Sequence, residues 1–175
     1  MKTVIAGLGN PGEEYGETYH NAGALALLAI ADAHAPEGGK LVFKAHRGLF
    51  RYATQGDAAF VLPLTFMNGS GTAVKEALKK FGASAENLIL IHDESDLPLG
   101  DYQISAGKNS AGHKGVQSVI DALGTNEFTR VRVGIRDPKE KLREKAESFV
   151  LRPVSAGDKK KLEEVFRRLA RELAF

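Results

Sequence analysis

The sequence predicts an α/β protein, a three-layer α/β/α sandwich in which helices cover both faces of a twisted mixed β-sheet. Three observations carry this: short apolar, β-rich runs; longer segments with apolar residues at helical spacing; and the alternation of the two along the chain. The 175 residues suit one domain spanning 1–175 with a single sizeable core.

The first run, "TVIAG" (3–7), reads as a strand that ends in the glycine-rich turn "GLGNPG". "NAGALALLAIADAH" (21–34) is apolar nearly all round, as a buried helix is, and His34 ends it. "GLFRYAT" (48–54) and "AAFVLPL" (58–64) read as strands, and His46, in the basic stretch "KAHRG" before them, reads as a solvated loop residue. "SGTAVKEALKKFG" (70–82) puts Ala73, Val74, Ala77, Leu78 and Phe81 on one helix face, with Gly82 as its stop. "NLILIHD" (87–93) and "DYQIS" (101–105) are further strands. "GHKGVQSVIDALG" (112–124) repeats the helical pattern through Val116, Val119, Ile120 and Leu123 and stops at Gly124. "RVRVGI" (130–135) is a strand, "RDPKEKLREK" (136–145) a charged surface loop, and residues 155–175 a last helix with Leu162, Val165, Phe166, Leu169 and Leu173 inward.

With 43% hydrophobic and 26% charged residues the composition is that of a soluble globular protein. The absence of cysteine removes disulfides and thiolate chemistry and suits a reducing cytoplasm. "MKTVIAG" lacks a signal-peptide core, and no run approaches the ~18 apolar residues of a membrane span. The net charge of +2 hides an asymmetry: residues 1–100 carry 8 Lys and Arg against 11 Asp and Glu, net −3, and residues 101–175 carry 16 against 11, net +5. A basic second half suits an anionic partner such as RNA, although a salt-bridged surface gives the same count.

Gly7-Leu8-Gly9-Asn10-Pro11-Gly12 matches the dinucleotide fingerprint G-x-G-x-x-G, but the chemistry of that site is missing. The third glycine has to open a helix, and here Pro11 lacks an N–H and "GEEYGETY" has no helical period. The acid about 20 residues on, Asp32, falls inside a helix rather than at a strand end. What the turn displays is Asn10, at a strand end where open α/β sheets bind ligands. Lys108 spoils a serine elbow at Ser110, and "HDESD" (92–96) lacks zinc-site spacing, while leaving Mg²⁺ at Asp93 or Asp96 open. General acid–base chemistry is the economical choice, and a His held by a carboxylate is its usual instrument. Among five histidines, His20 lies at a helix entrance and Asp93 closes a strand.

The order of the motifs resembles the bacterial peptidyl-tRNA hydrolase family. "GLGNPGEEYGETYHNAG" (7–23), "TFMNGSG" (65–71), "HDESDLPLG" (92–100) and "AGHKGVQS" (111–118) are similar to its four signatures, and the resemblance covers roughly residues 2–170. It implies the fold of that family and hydrolysis of the ester joining a peptide, or an N-blocked amino acid, to the 3′ end of tRNA, with no metal or cofactor. It implies His20 as the base that activates water, Asp93 as the group that fixes its tautomer, and Asn10 as the third member of the catalytic set, near the blocked α-nitrogen. Asn68 is then a substrate-binding amide, Tyr15 and Phe66 parts of the surface for the tRNA end, and peptidyl-tRNA the partner of a cytoplasmic monomer. The sequence departs from the pattern at Lys114, where members carry Asn, at Tyr19 in place of Arg, and at Gln117 in place of a basic residue. Lys114 can donate to an oxyanion or attract phosphate, but cannot accept a hydrogen bond. The strand after Gly100 lacks the basic residues that clamp the tRNA phosphate in many members; Lys108, Arg130, Arg132 and Arg136 are the available substitutes. Many members also continue helically beyond the position of Phe175. Two other readings follow: an RNA-binding homologue with weak or no hydrolysis and, from the glycine pattern alone, a nicotinamide-binding oxidoreductase.

Overall fold

Seven strands form one mixed sheet in the computed structural model, which describes residues 2–37 and 39–173. They are β1 (Thr3–Gly7), β2 (Lys44–His46), β3 (Phe50–Gln55), β4 (Ala58–Pro63), β5 (Leu88–Pro98), β6 (Tyr102–Ala106) and β7 (Thr129–Arg136), in the order β2-β3-β4-β1-β5-β7-β6. The central four strands run parallel, and β2, β3 and β6 add antiparallel pairings outside them. The helices are α1 (Ala22–Ala33), α2 (Ser70–Phe81), α3 (Lys114–Leu123), α4 (Ala146–Phe149) and α5 (Ala156–Glu172).

Period-2 alternation distributes each strand between two cores. Ile5, Phe60, Ile91, Val131 and Val133 face α1 and α5. Val4, Ala6, Val61, Leu88 and Leu90 face α2 and α3. Each such side chain removed from water is worth ~1.5–3 kcal/mol, so the two cores hold the helices to their faces and produce the expected three layers. The expected stops Gly82 and Gly124 both take the left-handed conformation, at φ 61° and 71°. Gly71 allows α2 to lie against α3: a Cβ there would sit 2.0 Å from the Ser118 carbonyl oxygen.

The sequence order reverses at β1, with β4 on one side and β5 on the other. The carboxyl ends of β1 and β4, with the loops "GLGNPG" and "PLTFMNG" that leave them, therefore converge beside the stretch "HDES" of β5, where such sheets bind ligands. No helix opens at Gly12: the chain makes a 3-10 turn at Glu13–Tyr15 and another at Tyr19–Asn21 before α1 begins. The rejection of a dinucleotide loop therefore agrees with the backbone.

Two elements differ from the sequence expectation. The stretch around His46 is not a solvated loop but β2, joined to β3 by a tight turn in which Arg47 and Gly48 both have positive φ. His46 Nε2 lies 3.3 Å from Glu76 and its ring packs on Phe50, so a partner on α2 draws it from solvent. The four-residue α4 also follows directly on the charged loop 136–145, in residues to which the sequence pattern assigned no element. Of the last expected helix, Ala174 and Phe175 lie outside the described residues. No helix among the described residues is long and apolar enough to cross a membrane.

Candidate active site

β5 delivers Asp93 to the centre of the converging loops, 2% exposed. A lone carboxylate there would be costly, and two imidazoles supply its partners. His20 Nδ1 lies 3.0 and 2.9 Å from its two oxygens, and His113 Nε2 lies 2.8 Å from Oδ1. Burial alone pushes the Asp93 carboxyl upward, but the charge and hydrogen bond of His113, joined by those of His20, hold it far below the usual carboxylate range. As an ionised acceptor Asp93 assigns both tautomers: His20 donates through Nδ1–H and His113 through Nε2–H.

The local backbone explains how each ring is aimed. His20 sits in the 3-10 turn ahead of α1, where its N–H donates to the Val150 carbonyl at 2.8 Å and that of Tyr19 to Arg152 at 3.2 Å. Tyr19, the departure from Arg, donates its hydroxyl to Asp158 on α5 at 2.6 Å and so ties the turn to the last helix. His113 is the N-cap of α3, its Nδ1 accepting from the Val116 N–H at 3.2 Å. Nε2 of His20 has no hydrogen-bond partner among the described residues, and His20 lines a cleft of about 500 Å³ that also touches Asn10, Asp93, His113, Lys114 and Leu151. That leaves a ring nitrogen lone pair beside a space large enough for water and an acyl group.

Asn10 is oriented without ambiguity. Its Oδ1 accepts from the Met67 N–H at 2.8 Å, which leaves Nδ2 as the free donor at the cleft. Its backbone is held by Asn21, whose Oδ1 accepts from Asn10 N–H at 2.9 Å and whose Nδ2 donates to Asn10 O at 3.0 Å. Met67 opens a short 3-10 turn that also carries Asn68, exposed and adjacent to Asn10's partner but not on the cleft wall. Tyr15 and Phe66 meet edge to face, ring centroids 6.1 Å apart, with Phe66 56% exposed. Lys114, at the start of α3, is exposed, lines the cleft and has no ion-pair partner among the described residues.

Sequence reasoning placed His20, Asp93 and Asn10 at the site and missed His113, for which the altered motif "AGHKG" was the available signal. It also offered Arg130 and Arg132 among the residues that could hold the tRNA phosphate. Both do point to one face of β7, but Arg130 is 1% exposed and cannot reach a phosphate, while Arg132 contacts Gln103 and lies 3.8 Å from Glu94. His20, Asp93 and His113 place their ligand atoms within 4.8 Å of one another, a set of types that can hold a transition metal; an ion there would have to displace the protons that now bind both rings to the carboxylate. A smaller cavity of about 270 Å³ near Arg136 is walled by paired charges, with Arg136 bound to Glu140 at 2.6 Å.

An imidazole held by a buried carboxylate, opening on a cleft at the switch point of an α/β sheet, is the build of a hydrolytic enzyme that works by acid–base chemistry. The sequence profile of the peptidyl-tRNA hydrolase family matches residues 4–175, and the chain belongs to that family. It is 40% identical over 169 residues to a peptidyl-tRNA hydrolase of Thermodesulfovibrio yellowstonii, covering 92% of this chain and 84% of that protein. To the Aquifex aeolicus protein of the same name it is 35% identical over 173 residues, 96% of this chain and 86% of the other. The crystal structure of the Acinetobacter baumannii peptidyl-tRNA hydrolase superposes with a TM-score of 0.85 at 28% identity, covering 98% of this chain and 86% of that one.

Proposed function

We propose that this protein hydrolyses the ester between a peptide, or an N-blocked amino acid, and the 3′ end of tRNA, with His20 as general base and Asp93 as the group that orients it. The contact of His20 Nδ1 with both Asp93 oxygens, at 2.9 and 3.0 Å, carries this reading. With Nδ1–H committed to Asp93, Nε2 takes a proton from water as the water oxygen attacks the ester carbonyl carbon. The same proton can pass to the ribose 3′ oxygen as the ester bond breaks. An ester has a fair leaving group, so a positioned base and donors for the oxyanion suffice, and no cofactor enters. Lys114, on the cleft wall, is such a donor, and Asn68, in the turn that holds Asn10, is assigned to the substrate beyond that wall.

Asn10 supports a preference for blocked substrates. With Oδ1 engaged by Met67 N–H, the Nδ2 donor is the group that Asn10 has without a partner among the described residues. A peptide or acyl carbonyl can accept from it, whereas a free α-ammonium offers only donors and would meet a donor. Tyr15 and the exposed Phe66 offer faces on which the unpaired terminal base of tRNA can stack. The reading carries with it a cytoplasmic monomer whose partner is peptidyl-tRNA. A module that only bound RNA would have no need of a carboxylate buried between two imidazoles.

The test is hydrolysis of N-acetyl-aminoacyl-tRNA by the wild type and by His20→Ala. Loss of the general base is expected to slow turnover by ~10²–10⁴-fold. No wild-type hydrolysis, or equal rates, would overturn the assignment.

A further inference from the structure

Among the described residues Arg130 is one of the largest side chains that are fully buried, at 1% exposure, and the only charged one of them. It stands on β7 in register with Leu90 of β5 and Ser105 of β6. No carboxylate among the described residues pairs with it; the nearby Glu94 is taken by Arg132. Its guanidinium instead donates to two backbone carbonyls, through Nη1 to Asn109 O at 2.6 Å and to Lys108 O at 3.2 Å, while its Nε has no partner. Taking an unpaired guanidinium out of water is expensive, and burial, helped by the neighbouring Arg132, pulls its pKa down. A methionine of similar length would fill the space at lower cost, so core packing does not account for the residue.

What the guanidinium holds is the loop that ends at the catalytic cluster. Residues 107–112 carry three positive φ values, at Gly107 (62°), Ala111 (51°) and Gly112 (86°). The non-glycine one is strained and persists only where surrounding contacts over-determine it. Besides Arg130, those contacts include Ser110, whose hydroxyl donates to Gln117 Oε1 at 2.7 Å, with Gln117 in turn donating to Asp121 at 2.8 Å. The next residues are His113, on Asp93, and Lys114, on the cleft.

We infer that Arg130 is a positioning residue of the hydrolytic site: its buried guanidinium fixes the 108–112 loop so that His113 Nε2 meets Asp93 and Lys114 faces the cleft. The inference rests on the proposed catalytic cluster, but Arg130 touches neither substrate nor reacting atoms.

The experiment compares Arg130→Met, Arg130→Ala and Arg130→Lys. A misplacement of about 1 Å in a catalytic array costs up to ~10²-fold, so the Met and Ala variants should lose about 10- to 100-fold in kcat with KM little changed. Arg130→Lys, which keeps a cation and can reach one carbonyl, should retain more. Millimolar guanidinium, well below denaturing concentration, should restore part of the kcat of Arg130→Ala and leave the wild type unaffected. In each variant the His113 Nε2–H signal in ¹⁵N-resolved NMR should shift or exchange faster. A folded Met variant with wild-type kcat and an unchanged His113 signal would overturn the inference, as would a kcat loss that neither guanidinium nor lysine relieves while that signal stays in place. Should the Met and Ala variants not fold, Arg130→Lys decides by the same two readouts. If the wild type proves inactive on peptidyl-tRNA, the functional reading fails alone, because the His113 signal still reports whether Arg130 sets the loop.

Discussion

Mild acid is expected to weaken this fold through one side chain, His92. It is fully buried; its Nδ1–H donates to the Asp93 carbonyl at 2.6 Å, its Nε2 has no partner, and its ring packs against that of His113 at 4.7 Å. Burial, then the charges of His113 and Arg130, hold the imidazole well below its ordinary value of 6.5. In the unfolded chain the same group takes up a proton as pH falls through 6.5, so below that point the unfolded state binds one proton more. His92 thus contributes full stability above about pH 6.5 and loses it as pH falls toward the folded value, at a slope of ~1.4 kcal/mol per pH unit. Asp93 is depressed from 3.8 and acts in the same direction, but only as pH falls below that figure, so the windows do not overlap between pH 6 and 5. Urea unfolding at pH 7, 6 and 5 measures the slope in the wild type and in His92→Asn, whose amide nitrogen can occupy the Nδ1 position and does not titrate. The wild type should lose ~1.4 kcal/mol more per pH unit than the variant between pH 6 and 5. Parallel losses in the two proteins would refute a neutral, buried His92.

Two further outcomes follow from contacts described above. Asp93→Asn should lower kcat by ~10³–10⁴-fold, because an amide can present N–H to His20 and favour the wrong tautomer; single-turnover hydrolysis checks it, and a loss under tenfold would count against the orienting role. Gly71→Ala, whose Cβ would lie 2.0 Å from Ser118 O, must push α2 from α3 and cost ~1–3 kcal/mol, or roughly 2–10 °C in thermal midpoint; an unchanged midpoint would mean the helices part freely.

How far the sequence could be read depended on whether a feature was local. β1, β4 and the helices with an apolar face were visible because Val4, Val61, Val74 or Val119 recur with the period of the element they form. β2 was not, since Lys44-Ala45-His46 is polar and too short for alternation, and only its docking partner Glu76 shows why it is ordered. β5 runs on through Asp93 to Pro98, past the point where its apolar run ends, because β7 continues beside it. At the site, His20 and Asp93 could be named from motif order, but His113 lies 93 positions from His20, and only the sheet topology brings both rings to one carboxylate. The burial of Arg130 was likewise unreadable: an Arg in "RVRVGI" is an outward residue by pattern, and its acceptors are carbonyls of a loop 21 and 22 positions away.

The paired hydrogen bonds between Asn21 and the Asn10 backbone reach further than the shape of one turn. Asn21 follows His20 directly in the chain, and a Cβ on Gly9 would lie 2.9 Å from the Asn21 amide. In the proposed roles, the amide that selects the acyl chain and the imidazole that activates water therefore share one mount, and thermal displacement of either carries the other. Selectivity and rate become coupled traits: an attempt to widen the acyl preference by altering the first loop alone would also detune the base. A transplant into another scaffold would have to carry positions 9, 10, 20 and 21 as a block.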